Sequence, residues 1–180
     1  KGADMGFWDW NILTGEVVYS DRFLIMLGYS RSDVFNNLEW WQRLVHPQDS
    51  PRVWQQIEKH LQGGYSSITV EYRLKSKSGD WVWMRARGKV VEWDEKKRPA
   101  RAAGTQINIT SSKAVREALE NQNSLMQSLL SALPSPVFFK DIHGCYLGVN
   151  KAYEEFSGLK TEDVRGKKAS ELWDPLVADK

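Results

Sequence analysis

The chain opens twice. Residues 7–34, FWDWNILTGEVVYSDRFLIMLGYSRSDV, and residues 137–164, VFFKDIHGCYLGVNKAYEEFSGLKTEDV, follow one pattern. Each starts with an apolar strand-like run, turns at a glycine (Gly15, Gly144) and enters a second short strand. A polar residue, Ser20 or Asn150, then opens a helical stretch that carries an aromatic, Phe23 or Tyr153. Both copies close on Gly-x-x-x-x-Asp-Val, at Gly28–Val34 and Gly158–Val164. The offset of about 130 residues exceeds the ~20–50-residue period of solenoid units and is the length of a whole small domain. The repeat therefore demands one complete module followed by the start of another.

Composition narrows the class. With 180 residues, 41% of them hydrophobic, and nine tryptophans, at least one module can bury a proper core. Twenty-five basic residues face 23 acidic ones, so no strong field selects nucleic acid or an anionic membrane. No apolar run approaches the ~20 residues that span a bilayer, and no signal peptide is visible. The chain begins at Lys1 and reads as cut from something longer. A single cysteine, Cys145, excludes an internal disulfide framework and suits a reducing compartment. The expected setting is cytoplasmic.

The period of the hydrophobic pattern changes twice along the chain. Residues 5–11 and 16–20 read as a strand pair around Leu13-Thr14-Gly15. Helical spacing follows over Asp21–Leu27, briefly over Ser30–Val34, and over 38–45 with Leu38, Trp41, Leu44 and Val45 on one face. After His46-Pro47-Gln48-Asp49 a longer amphipathic helix carries Val53, Trp54, Ile57 and Leu61 along one side, stopped by Gly63-Gly64. Period two then takes over. Ile68, Val70, Tyr72 and Leu74 alternate with polar neighbours, and Lys77-Ser78-Gly79-Asp80 turns the chain. Residues 81–93 place Val82, Met84, Ala86, Gly88 and Val90 on one face, with Trp81, Trp83, Arg85, Arg87, Lys89, Val91 and Trp93 on the other. A charged loop, Asp94–Pro99, precedes a last strand over Arg101–Ile109. The expected class is α+β: a five-stranded antiparallel sheet with short helices on one face.

Residues 111–133 are different. Val115, Ala118, Gln122, Leu125 and Leu129 repeat with heptad spacing, flanked by Leu119, Met126 and Leu133. Such a short isolated helix is marginal in water and needs a partner surface, so these residues are the expected dimerisation seam. Pro134 and Pro136 end it. The expected division is a domain over 1–110, a helix over 111–133, and the beginning of a second domain over 134–180.

This order of elements resembles a PAS domain of the tryptophan-rich PAS/PAC sensory-box type. The residues that carry the resemblance are Gly6-Phe7-Trp8-Asp9-Trp10, Gly28-Tyr29, His46-Pro47-x-Asp49, Glu71-Tyr72-Arg73, Gly79-Asp80-Trp81-x-Trp83 and Gly104-Thr105-x-x-Asn108-Ile109-Thr110. They span residues 5–110; residues 137–180 match only the first part of a second such domain. In the family the closing motif has aspartate where this chain has Asn108, and there the acid ties the last strand to its neighbours. Asn108 keeps the acceptor and loses the charge-assisted strength, roughly a factor of two. The resemblance implies Trp83, Asn108, Ile109 and Thr110 as the coupling between core and exit helix.

Candidate sites divide by chemistry. The inward face, with Val70, Tyr72, Met84, Ala86 and Gly88 plus Trp54 and Ile57, is the expected lining of a small-ligand pocket. The space over Ala86 and Gly88 holds either a ligand or packed side chains. His60 would be the natural haem ligand by the resemblance, but its place near the helix end equally suits a solvated histidine favoured by the dipole. His46 is expected to bond its own loop. No specific motif supports haem, a flavin-reactive cysteine, or a metal cluster. No phosphate loop, nucleophile elbow or paired acids point to catalysis. The aromatic and basic outer face of residues 81–93 is expected to pack on the exit helix, an N-terminal segment or another subunit.

The resemblance implies a sensory module of a bacterial-type signalling protein. It would be a homodimer that passes ligand, redox or partner signals through the helix to an effector outside this chain, a histidine kinase or a cyclic-dinucleotide enzyme. The alternative is a ligand-free architectural PAS pair.

Overall fold

The structure, a computed structural model, describes residues 5–63 and 66–173. Gly64, expected in the stop of the long helix, lies outside them. The chain divides into two compact units between Val115 and Arg116.

In the first unit β1 (Met5–Asn11) and β2 (Val17–Tyr19) form a hairpin, followed by α1 (Asp21–Met26), a 3-10 turn (Arg31–Asp33), α2 (Leu38–Leu44) and α3 (Ser50–Leu61). Then come β3 (Ile68–Lys75), β4 (Trp81–Trp93) and β5 (Pro99–Asn108), and α4 (Thr110–Ala132) leaves the last strand. The sheet is antiparallel with order β2-β1-β5-β4-β3. The first strand of the module therefore lies against its last, with Trp8 opposite Gly104 and Trp10 opposite Ala102.

Each element follows from its residues. Ser20 caps α1 by accepting the Phe23 N–H, and Gly28 stops the helix at φ 75°, where a side chain would be strained. Asn37 caps α2 in the same way through the Trp40 N–H. Alternation places Val70, Tyr72 and Leu74 of β3 and Met84, Ala86 and Gly88 of β4 on the helix-covered face. There they meet Phe23, Leu24, Trp40, Trp41 and Val53 in one core.

Asp49 and Arg73 fasten the loop before α3 to β3. The backbone N–H and the Nε of Arg73 each donate to Asp49 Oδ2 at 2.9 Å, and Nη2 donates to Oδ1 at 2.8 Å. These bonds hold the Asp49 carboxyl below the usual carboxylate range.

The last strand and the exit helix differ from expectation at their ends. The last strand starts at Pro99, not Arg101, because Trp93 pairs with Pro99 across an irregular stretch near Val90–Trp93. It ends at Asn108, and α4 starts at Thr110.

The second unit contains β6 (Phe138–Lys140), β7 (Tyr146–Val149), α5 (Lys151–Ser157), α6 (Thr161–Val164) and α7 (Ala169–Leu172). Its small core is Tyr146, Tyr153 and Val164, backed by Leu159, Leu172 and Trp173. Among its described residues the sheet has only the two strands β6 and β7.

Candidate functional site

The helix-covered face of the first unit carries a partly open cavity of about 80 Å³. Its wall includes Ile57, Val70, Tyr72, Ala86 and Gly88, five of the seven residues expected there. Trp54 and Met84 do not line it. Trp54 turns edge-on to Trp41, with ring centroids 5.8 Å apart, and Met84 is fully enclosed by the core.

The space above Gly88 has a definite tenant. A methyl group at Gly88 would collide with the Trp8 ring, and one at Gly104 would lie 2.5 Å from it. Gly88 and Gly104 face each other across β4 and β5, so the two glycines form a bed on which the indole rests. Part of the room that the sequence left open is therefore filled by the protein itself.

What remains is lined almost wholly by apolar atoms, and the residues around it include three that spacing could have flagged. Trp8 and Trp10 alternate on β1, and Gln106 keeps phase with Ala102 and Gly104 on β5, so all three belong to the inner face. Trp41 Nε1 donates to the Tyr72 hydroxyl at 3.1 Å, and Gln106 Nε2 donates to the same oxygen. Burial pushes the Tyr72 phenol well above its ordinary value. Gln106 Oε1 and the indole nitrogens of Trp8 and Trp10 are buried with no hydrogen-bond partner among the described residues.

His60 corrects an expectation. It is 5% exposed and lines the cavity, because it follows Val53 and Ile57 on the buried stripe of α3 and is not directed to solvent. His46 behaves as expected, its Nδ1 accepting the Gln48 N–H at 3.2 Å.

From the cavity wall β5 leads directly to the exit helix. Two residues after Gln106, Asn108 Oδ1 accepts the Thr110 N–H at 2.9 Å. The Trp83 N–H donates to Thr110 Oγ1 at 2.9 Å, and the Ile109 N–H donates to the Trp83 carbonyl at 2.8 Å. Trp83, Asn108, Ile109 and Thr110 thus form one junction.

On the outer face Lys113 of α4 lies 4.9 Å from the centre of the Trp83 ring and 2.7 Å from Glu71. Lys113, then Arg85, lowers the Glu71 carboxyl below its usual range. The first turn of α4 is therefore pinned to β3 and β4. Further along, the expected seam is bare: Val115 is 69% exposed, Leu125 62% and Leu129 60%, and Ala118, Leu119, Gln122 and Met126 are exposed as well.

This geometry agrees with comparison to known proteins. A family model described as a PAS fold matches residues 16–106. The chain belongs to the PAS fold family. A second PAS-fold model matches residues 124–179. A sensory box histidine kinase/response regulator from Burkholderia thailandensis superposes with a TM-score of 0.61 at 30% identity, over 71% of this chain and 93% of that one. The N-terminal domain of a diguanylate cyclase with PAS/PAC sensor from Marinobacter aquaeolei shares the fold, with a TM-score of 0.54 at 22% identity, over 61% of this chain and 98% of that one. Among curated proteins, the sensor protein FixL of Bradyrhizobium diazoefficiens is 25% identical over 172 residues, 96% of this chain. The chain spans 34% of that relative's length. Among the described residues no helix is long and apolar enough to cross a membrane.

Proposed function

We propose that this PAS chain is the sensory segment of a larger signalling protein, taking its input at the cavity of the first module and delivering it through α4. The observation that carries this reading is the unbroken run on β5 from cavity wall to helix cap. Gln106 borders the cavity, Asn108 accepts the Thr110 N–H, and Thr110 and Ile109 are bonded to Trp83. A change in packing around Gln106 thus has two residues of strand to travel before it reaches the start of the helix.

In this reading residues 1–110 are a PAS domain, 111–133 a signalling helix and 134–180 the first part of a second PAS domain. Two copies pair through Val115, Ala118, Leu119, Gln122, Leu125, Met126 and Leu129, whose exposure leaves an apolar stripe for a partner helix. The effector, of histidine kinase or cyclic-dinucleotide enzyme type, belongs to the same full-length protein beyond this segment, and the segment works in the cytoplasm. A ligand shifts such a device only through unequal affinity for its two states, and coupling of ~1–3 kcal/mol suffices. The space left on the inner face beside Gln106 supports this reading over a purely architectural pair.

Sedimentation of a Leu125→Glu, Leu129→Glu variant tests the helix. The wild type should sediment as a dimer and the variant as a monomer; an unchanged mass would remove α4 from the interface.

A further inference from the structure

On the outer face of the first module's sheet, strand register sets side chains in rows. Phe7, Thr105, Arg87 and Thr69 are partners across β1, β5, β4 and β3. Met5, Ile107, Arg85 and Glu71 form the row on one side of them, and Val18, Asp9, Ala103 and Lys89 the row on the other. Side chains opposite one another on one face are neighbours, about 5 Å apart at Cβ.

Two columns of different character result. Val18, Met5, Phe7 and Ile107 give β2, β1 and β5 an apolar strip, with Phe7 58% exposed and Val18 50%. On β4 stand Arg85, Arg87 and Lys89, all exposed and alternating with the buried Ala86 and Gly88. The carboxylates of these rows are already engaged. Glu71 bonds Arg85 and Lys113, each at 2.7 Å, and Asp9 bonds Arg101 at 2.7 Å. Arg87 and Lys89 have no ion pair among the described residues. Two unmatched cations therefore border an uncovered apolar strip.

The strip has the width of one helix. Strands lie ~4.8 Å apart, so β2 to β5 spans about 10 Å, close to the diameter of an α-helix with its side chains. A helix seated there buries an apolar stripe on Phe7, Met5, Ile107 and Val18, and one flank runs along Arg87 and Lys89. Aspartate or glutamate on that flank would meet both cations. The α4 helix of a second copy lacks this arrangement. At about 100° per residue its acids Glu117 and Glu120 lie roughly 140–160° around the helix from Val115, on the side away from its apolar stripe. Aliphatic Met5, Val18 and Ile107 offer no stacking surface, which disfavours a single-stranded nucleic acid.

We propose that this face docks an acidic amphipathic helix of a partner protein, its apolar stripe on Phe7 and Met5 and its carboxylates on Arg87 and Lys89. The docked helix covers Thr105 and Ile107 of β5, directly before Asn108, whose side chain accepts the Thr110 N–H at the start of α4.

The probe is a synthetic peptide of ~18 residues, long enough to hold a helix, with leucine on one stripe and glutamate beside it. A second peptide carries lysine in the glutamate positions. Both are titrated into the full 180-residue chain bearing Leu125→Glu and Leu129→Glu, which removes the competing stripe on α4. The glutamate peptide should bind with one saturable curve that shifts the backbone amide resonances of Phe7, Thr105 and Arg87. The lysine peptide should bind at least tenfold more weakly. Phe7→Ser should weaken the glutamate peptide at least tenfold, and Arg87→Glu combined with Lys89→Glu should reverse the preference between the peptides. If that combination does not fold, Arg87→Gln takes its place and should weaken the glutamate peptide at least threefold. The proposal is overturned if the two peptides bind equally, if the shifts map away from this face, or if the charge variants leave the preference unchanged. It is also overturned if single-stranded oligothymidylate binds more tightly than the glutamate peptide. Phe7→Ser lowering the sedimenting mass of the otherwise wild-type chain would overturn it too, by giving the face to a second copy.

Discussion

Ser20 and Asn150 occupy the same position in two copies of one opening, and the two modules differ in what each residue does there. Ser20 Oγ accepts from Phe7 N at 2.8 Å and from Phe23 N, and its own N–H donates to the Phe7 carbonyl. Asn150 Oδ1 accepts from Val137 N at 2.8 Å and from Tyr153 N at 2.9 Å, and its N–H donates to the Val137 carbonyl. Even the following turns agree, with Asp33 and Asp163 each accepting the backbone N–H three residues earlier. Only Asn150 has an amide left over. Its Nδ2 donates to the carbonyls of Leu130, Leu133 and Ser135, where α4 ends. A serine has no donor pair for that task.

The difference teaches how one opening serves two ends. In the first module the hairpin is completed by a three-strand meander, and Trp8 is trapped over Gly88 and Gly104. The second module's described residues supply a lone two-stranded hairpin, marginal by itself. There the opening is tied to the end of the preceding helix. The helix between the modules is thus anchored by Thr110 and Lys113 at its start and by Asn150 at its finish.

Substitutions at glycine should separate the modules most strongly. Gly104→Val drives a side chain into the Trp8 ring and the Arg87 carbonyl, and should destabilise the first module by about 3 kcal/mol. Gly148→Ala in the second hairpin meets nothing nearer than Thr161 at 3.9 Å, and should stay within about 0.5 kcal/mol. Chemical denaturation of each variant checks both, and equal losses would break the contrast.

Asp49→Ala comes next, at about 2–3 kcal/mol, since it removes a buried carboxylate that accepts three bonds from Arg73. The pH dependence follows from the sign of the shift. Arg73 depresses the Asp49 pKa in the folded state, so its contribution is present above the unfolded value of about 4 and fades as pH falls through the folded one. The variant should lose part of the acid-induced destabilisation of the first module, measured as melting temperature against pH.

Asn150→Ser should cost the second module about 1 kcal/mol, because the cap survives and only the bonds to the α4 carbonyls are lost. Amide exchange around residues 133–137 should quicken while α5 stays protected. The smallest effect should be Lys113→Ala, below about 1 kcal/mol, as its partner Glu71 is only partly buried.

Much of this arrangement was legible because it is local. The ends of β3 and β4 follow directly from the period-two run and the Lys77–Asp80 turn, and Thr110 marks the helix start. The cavity was less legible because its wall is assembled across the length of the module. Trp8 meets Gly88 and Gly104 only through the pairing of the first strand with the last, a register that no short window contains. Val70, Ala86 and Gly88 were readable from their own strands, whereas Gln106 and Trp10 share one face only once the last strand pairs with the first. His60 was the opposite case: the stripe through Val53 and Ile57 pointed inward, and proximity to the helix end argued wrongly for solvent.

The most direct test of the link between cavity and helix is amide hydrogen exchange along residues 109–120 when the cavity is filled by Ala86→Leu. The account predicts altered exchange in that stretch, and loss of the response when Thr110→Val removes the hydroxyl that accepts the Trp83 N–H. Changes confined to the sheet, with α4 unaffected in both variants, would contradict it.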